Sequence, residues 1–205
     1  MSADWEFPKY KNGLLSFLGQ FSLKELKPYD VENDLPNSGI LYIFYDVVEQ
    51  PWGFKEDEGC FKVLYFDGDE KDLVRKKYPE ETEDYFPLPV FHVSFSNMLT
   101  LPEYPENMKF SDDEQDNYFL LRQELIQPNN EPAHYISGYP FSIQNDVFDE
   151  FNLTPEEALL LLQIDSDEED LKLLWGDSGI IYFCIDKISL ASKQFDKVQF
   201  TLQCY

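Results

Sequence analysis

The chain has 205 residues, with 40 Asp and Glu set against 16 Lys and Arg for a formal net charge of −24 at pH 7. A field of that sign excludes recognition of nucleic acid through its phosphates, which requires clustered basic side chains. Three scattered cysteines without a CxxC pair exclude a zinc finger or a disulfide framework, and no apolar run approaches the roughly 18 residues of a membrane-spanning helix.

The opening residues, Met1-Ser2-Ala3-Asp4-Trp5-Glu6, have neither a basic nor an apolar leader region, which predicts a cytoplasmic protein. After a polar lead-in over residues 5–13, residues 14–21 read as a first strand. Ser22, with Glu25 three residues on, makes a capping box for one helical turn that Pro28 ends. Ser38-Gly39 is a turn. The apolar and aromatic run that follows, Ile40 to Tyr45, is too short for a helix and fits a buried strand closed by Asp46. Trp52-Gly53 sits in a turn-rich loop, and residues 60–66 form the return strand.

Residues 67–77 are acidic at the start and end on Arg75-Lys76-Lys77, the charge order of a short helix. An acidic, proline-bearing connection over residues 78–89 leads to an alternating strand at residues 90–95. Ser111-Asp112-Asp113-Glu114 is a second capping box. Behind it, Tyr118, Leu121 and Leu125 place an apolar face on a helix that runs to about Ile126. His134 then precedes a Gly138-Tyr139-Pro140 turn with aromatics on both sides.

Thr154-Pro155-Glu156-Glu157 has the local chemistry of a helix start. The repeat described below instead makes residues 159–164 a strand. Residues 165–170 read as a solvated acidic turn. An EF-hand loop needs Gly at its sixth position and Glu at its twelfth, where Asp170 and Gly176 stand. Residues 195–204 read as the closing strand.

Asn37-Ser38-Gly39-Ile40-Leu41-Tyr42-Ile43-Phe44-Tyr45-Asp46 returns as Asp177-Ser178-Gly179-Ile180-Ile181-Tyr182-Phe183-Cys184-Ile185-Asp186. Upstream, Leu18-Gly19-Gln20 is matched by Leu161-Leu162-Gln163. Downstream, residues 61–65 are matched by residues 196–200. One three-strand unit cannot bury its own apolar face, so the pattern predicts an α+β fold of mostly antiparallel strands with an internal duplication. Two similar β units are expected to pack about a pseudo-twofold, with a few short helices. The whole of residues 1–205 is read as one domain. Its first unit covers about residues 14–66, an acidic connecting region 67–157, and the second unit 158–205.

The charge is uneven. Residues 78–171 hold 22 Asp and Glu against Lys109 and Arg122 alone, a net of −20. Solubility is the bland explanation of such a surface, and attraction of a basic protein partner is the sharper one. His92 and His134 are the two histidines. His92 reads as a packed strand residue, whereas His134 stands where an acid or base could serve. No G-x-S-x-G elbow, Walker loop or G-x-G-x-x-G is present, so no catalytic residue is assigned. Gln20 and Gln163 occupy matching places. Each amide either ties down its own strand end or, with Trp52 and Trp175, lines a cleft shared by the two units.

The series Leu18-Gly19-Gln20-Phe21-Ser22-Leu23-Lys24-Glu25-Leu26, Trp52-Gly53-Phe54, Gly138-Tyr139-Pro140 with Gln144, Leu160-Leu161-Leu162-Gln163-Ile164-Asp165-Ser166-Asp167, Trp175-Gly176-Asp177-Ser178-Gly179 and the terminal Leu202-Gln203-Cys204-Tyr205 resembles the bacterial YwqG-like family. That family is a domain of unknown function, and the resemblance spans nearly the whole chain. It implies a duplicated, largely antiparallel α+β protein and carries over no catalytic residue. Some members resemble genes found near toxin–immunity clusters. Members usually carry a Gly-Gly-x-Pro segment ahead of the aromatic lead-in, and this sequence opens at or after that point.

The sequence thus points to a non-enzymatic interaction module that offers an acidic face to a basic partner, in an immunity-like role, without nucleic acid, membrane, metal or cofactor. The alternative is a small-molecule-binding protein or metal-dependent hydrolase that uses the cleft between the units. The candidate binding residues are Gln20, Trp52, His134, Tyr139, Gln144, Gln163, Trp175 and Asp177.

Overall fold

Six consecutive side chains, Ile40 to Tyr45, are all buried, as an uninterrupted apolar run requires when both faces of its strand are covered. The computed structural model describes residues 1–78, 88–105 and 108–205. The chain divides into two compact units. Unit 1 comprises Met1–Phe95 and Lys187–Val198, and unit 2 comprises Ser96–Asp186 and Gln199–Tyr205.

In unit 1, a short hairpin of β1 (Lys9–Tyr10) and β2 (Gly13–Leu14) precedes β3 (Ser16–Ser22). The helical turn α1 (Leu23–Leu26) follows, with the Ser22 hydroxyl accepting from the Glu25 N–H as the local sequence predicts. β4 (Ile40–Tyr45) lies between β3 and β5 (Phe61–Phe66), antiparallel to both. Gln20 faces Tyr42, and a bulge displaces the register between Phe17 and Gly19.

Two expectations in this unit fail. Residues 67–77 form no helix beyond a single 3-10 turn at Glu70–Asp72. Beyond it the chain is held by the N-terminus: Leu73 bridges Ser2, Val74 N–H donates to the Met1 carbonyl at 3.0 Å, and Lys76 donates to the carbonyls of Ala3 and Trp5. Tertiary pairing outweighs a charge order that contributes only tenths of a kcal/mol, about 0.3–1, to a helix. Residues 90–95 form no strand among the described residues. Their alternation finds no partner, and Val90 and Val93 are 91% and 60% exposed. Most of the expected acidic connection, residues 79–87, lies outside the described residues.

In unit 2, α2 (Asp112–Ile126) starts at Ser111, whose N–H and hydroxyl both donate to the Glu114 carboxylate at 2.8 Å. The face turned inward is the predicted one only in part, with Tyr118 and Leu125 half-buried. Leu121 is exposed, while Arg122 and Ile126 are buried. The short helix α3 (Val147–Glu150) is capped by the Asp146 carboxylate. After a single turn at Thr154, β6 (Ala158–Asp165) runs as a strand with all eight residues buried, so the helix-start chemistry does not carry past that turn. β6 pairs antiparallel with β7 (Ile180–Asp186), which pairs with β8 (Gln199–Gln203). Gln163 faces Tyr182, and the register slips between Leu160 and Leu162.

Between β7 and β8 the chain forms α4 (Lys187–Ala191) and a 3-10 turn at Phe195–Lys197, counted with unit 1. There Phe195 packs against Tyr65 with ring centroids 4.8 Å apart, and Lys193 pairs with Asp67 at 2.5 Å. The closing strand is therefore shorter than predicted. Its register also corrects the sequence match: Ile43 pairs Val63 and Phe183 pairs Phe200, so the residue corresponding to Val63 is Phe200 and not Val198.

The repeated Ser-Gly turn has a physical cause in each unit. A Cβ on Gly39, at φ +100°, would lie 2.3 Å from the Tyr65 ring and 2.8 Å from the Phe66 carbonyl oxygen. A Cβ on Gly179 would lie 2.3 Å from the Gln203 carbonyl oxygen and 2.8 Å from Cys204 Cβ. In both, the chain entering the central strand passes the end of the third strand too closely for any side chain. Gly179→Ala is expected to cost roughly 1–3 kcal/mol through this overpacking. A lowered denaturation midpoint for Trp175 fluorescence would report it.

Candidate functional site

The outer edge of β6 is covered by an arm, residues 133–141, and polar side chains hold it there. Tyr135 N–H donates to the Gln163 carbonyl at 3.1 Å and Gln163 N–H returns the bond at 2.8 Å, so the arm begins as an added antiparallel strand. Further along, Ser137 N–H donates to the Leu160 carbonyl at 2.8 Å. The Gln163 side chain, 0% exposed, accepts from Phe141 N–H at 3.0 Å and donates to the Ala133 carbonyl at 3.2 Å. One amide thus clamps both ends of the arm. Tyr182 adds its hydroxyl to the Phe141 carbonyl at 2.7 Å.

At the end of β6, Asp165 accepts from Gln127 Nε2 at 2.6 Å and from Ala133 N–H at 3.0 Å. Burial pushes this carboxyl above its usual value, and those two bonds pull back against it. His134 Nδ1 accepts from the Asp165 N–H at 3.1 Å, which leaves the imidazole proton on Nε2, 3.5 Å from Asp167 Oδ2. Burial works against ionisation of Asp167 too. Its bonds from the Asp170 N–H and from His134 outweigh that and hold the carboxyl below its usual value. The result is an oriented imidazole backed by a charged carboxylate, half-open to solvent.

A second amide, Gln203, completes the fastening. It accepts from Ile143 N–H at 2.9 Å and Gln144 N–H at 3.2 Å, and donates to the Asn145 carbonyl and Glu150, both at 2.8 Å. Beneath the arm, Arg122 is 2% exposed. It donates to the carbonyls of Leu101 at 3.2 Å and Pro140 at 3.3 Å, and its guanidinium lies 5.7 Å from the Phe141 ring centre.

Of the residues singled out by sequence, unit 2 holds six. Gln163, His134 and Tyr139 belong to the arm and its clamp. Tyr139 donates its N–H to Thr100 and accepts from the Tyr135 hydroxyl. Gln144 is exposed but donates to the Cys204 carbonyl at 2.7 Å. Trp175 is fully buried, and its backbone N–H donates to the Ser166 hydroxyl at 2.9 Å. Asp177 is exposed in the turn before Ser178. Gln20 and Trp52 lie in unit 1, and both are exposed.

Sequence reasoning missed Arg122, Gln127, Asp165, Asp167 and Gln203. Asp165 and Asp167, expected in a solvated turn, are both buried and hydrogen-bonded. Their signal was hidden by the three acidic neighbours that follow, Glu168, Glu169 and Asp170. Gln203 had a usable signal: an amide between two apolar residues of a strand must find partners. Among the described residues no group of three or more His, Cys, Asp or Glu is arranged to hold a metal ion. Burial pushes the Cys60 thiol up to about 12 and Cys184 well above its usual value, so neither is a thiolate at neutral pH. No described helix is long and apolar enough to cross a membrane.

The model of a family described as a domain of unknown function (DUF1963) matches residues 1–204. No curated protein matches the chain.

Proposed function

Since the chain belongs to the DUF1963 family, a domain of unknown function, we propose its role from its own surface: it is a non-enzymatic binding module that presents an acidic face to a basic protein partner. The observation that carries this is the charge of unit 2, with 20 Asp and Glu against Lys109, Arg122 and Lys172, a net of −17. Arg122 is buried, so Lys109 and Lys172 are the basic side chains that unit leaves in solvent. A field so nearly of one sign steers a basic partner over a Debye length of about 8 Å and repels acidic ones. Within this reading the chain is a YwqG-like member acting in the cytoplasm, in an immunity-like role that masks a basic surface.

The same proposal takes β3–β5 and β6–β8 as products of an internal duplication. Supporting it are a bulge at matching positions, between Phe17 and Gly19 and between Leu160 and Leu162, and a Gln opposite Tyr in each sheet. The alternative of a small-molecule site or hydrolase draws on the oriented His134 beside Asp167.

The test is a pull-down with identification of the retained proteins at low and high salt. Basic proteins are expected to be held at low salt and released at high salt. Retention should also weaken when Asp112, Asp113 and Asp116, exposed on α2, are replaced by Asn. Partners held equally well under both conditions would remove the proposal.

A further inference from the structure

β3 and β6 share one register and differ in what lies along their outer edges. On β6, the edge groups are Gln163 N–H and C=O, bonded to Tyr135, and Asp165 N–H, bonded to the His134 ring. Because the bulges and the Gln–Tyr pairs correspond, the groups at those positions on β3 are Gln20 N–H and C=O and Ser22 N–H. Among the described residues, no hydrogen bond from outside the β3–β4 ladder reaches them. Burial shows the same contrast. All eight residues of β6 are buried, whereas in β3 Ser16 alone is buried and Gln20 is exposed. Its amide, the counterpart of the clamp on the arm, points into solvent.

We infer that the outer edge of β3 is a docking site for an extended segment of a basic protein partner, added as an antiparallel strand opposite Gln20. The arm on β6 shows the form of the occupant. Its backbone pairs with the Gln residue in both directions, and a turn then returns an N–H to the Gln side chain. Unpaired strand edges accept such segments through backbone bonds, with alternate side chains supplying selectivity. The basic character of the occupant rests on the proposed function and on the charge of unit 1, which carries β3 and holds 20 Asp and Glu against 13 Lys and Arg, a net of −7. The position rests on β3 alone.

The probe is a synthetic peptide with the sequence of residues 133–141 and two lysines at each end, added to the full chain. Hydrogen exchange at the Gln20 and Ser22 amides, resolved by NMR, is expected to slow by about tenfold or more at saturation, as for other newly paired strand amides. N-methylation of the peptide at the tyrosine matching Tyr135 removes the donor to the Gln20 carbonyl. It is expected to weaken binding by about fivefold or more, the usual worth of one backbone hydrogen bond. Gln20→Ala should weaken binding while leaving the fold intact. Unchanged exchange at Gln20, shifts confined to unit 2, or equal binding of the N-methylated peptide would each overturn the inference. Protection at Gln20 that is identical at low and high salt would support the β3 site and remove the basic-partner reading.

Discussion

Gln163→Ala is expected to lower the stability of unit 2 by about 2–5 kcal/mol, because two buried backbone groups lose their partners at once. Phe141 N–H and the Ala133 carbonyl meet the Gln163 amide at 3.0 and 3.2 Å, and alanine leaves both inside the protein without a bond. Gln20→Ala in the corresponding position of β3 should change stability by no more than about 0.5 kcal/mol, since its amide is in solvent. Chemical denaturation followed by Trp175 fluorescence, with Trp5 and Trp52 replaced by Phe, measures the first. Trp175 is then the remaining tryptophan and is fully buried. Equal losses for the two variants would mean that the arm is not held by the Gln163 side chain.

Arg122→Ala should be the other large loss, roughly 3–5 kcal/mol at neutral pH. Alanine removes the donors to the half-buried Leu101 carbonyl and the buried Pro140 carbonyl, and the packing over Phe141. It also removes the positive charge that acts on Glu103. Burial raises the Glu103 carboxyl above its usual value, and a bond from Ser142 and the Arg122 charge partly offset this. The native state therefore binds this proton more readily than the unfolded chain. Its ionisation costs stability as pH rises from the ordinary carboxylate range through the raised value. Without Arg122 the carboxyl rises further, so the deficit of the variant should be largest at neutral pH and shrink at acidic pH. Combining Arg122→Met with Glu103→Gln should recover much of the loss, because the buried charge goes with its counter-charge. Denaturation midpoints for the single and double variants at two pH values check both parts. A deficit independent of pH would remove Glu103 from the explanation.

Gln163 stood out in the sequence as an amide at a strand end, but Arg122 was not visible as important from its neighbours in the chain. Arg122 stands within an acidic helix, where a lone basic residue normally reads as solvent-facing, and Leu121 beside it looks like the buried position. The reverse holds because the Arg122 guanidinium donates to the Leu101 and Pro140 carbonyls, both distant in sequence. Asp165 and Asp167 were lost in an acidic run for a similar reason. What buries them is the arm carrying Ala133 and His134, about thirty residues upstream.

Residues 67–77 and 90–95 fail in the other direction. Their local patterns are sound, but a helix or strand forms only if its face is packed or its edge paired. The N-terminal residues claim the first segment, and no described strand pairs with the second.

The sequence by itself determined the central strands, the two Ser-Gly turns and a strand before each. Apolar runs of that length and crowded glycines have few other solutions. It also determined the acidic surface, since charge is a property of composition. Only the tertiary structure decided that Gln163 is buried under an arm while Gln20 faces solvent. Two residues in equivalent local settings differ because hydrogen bonding in the interior depends on which distant segment arrives to share it.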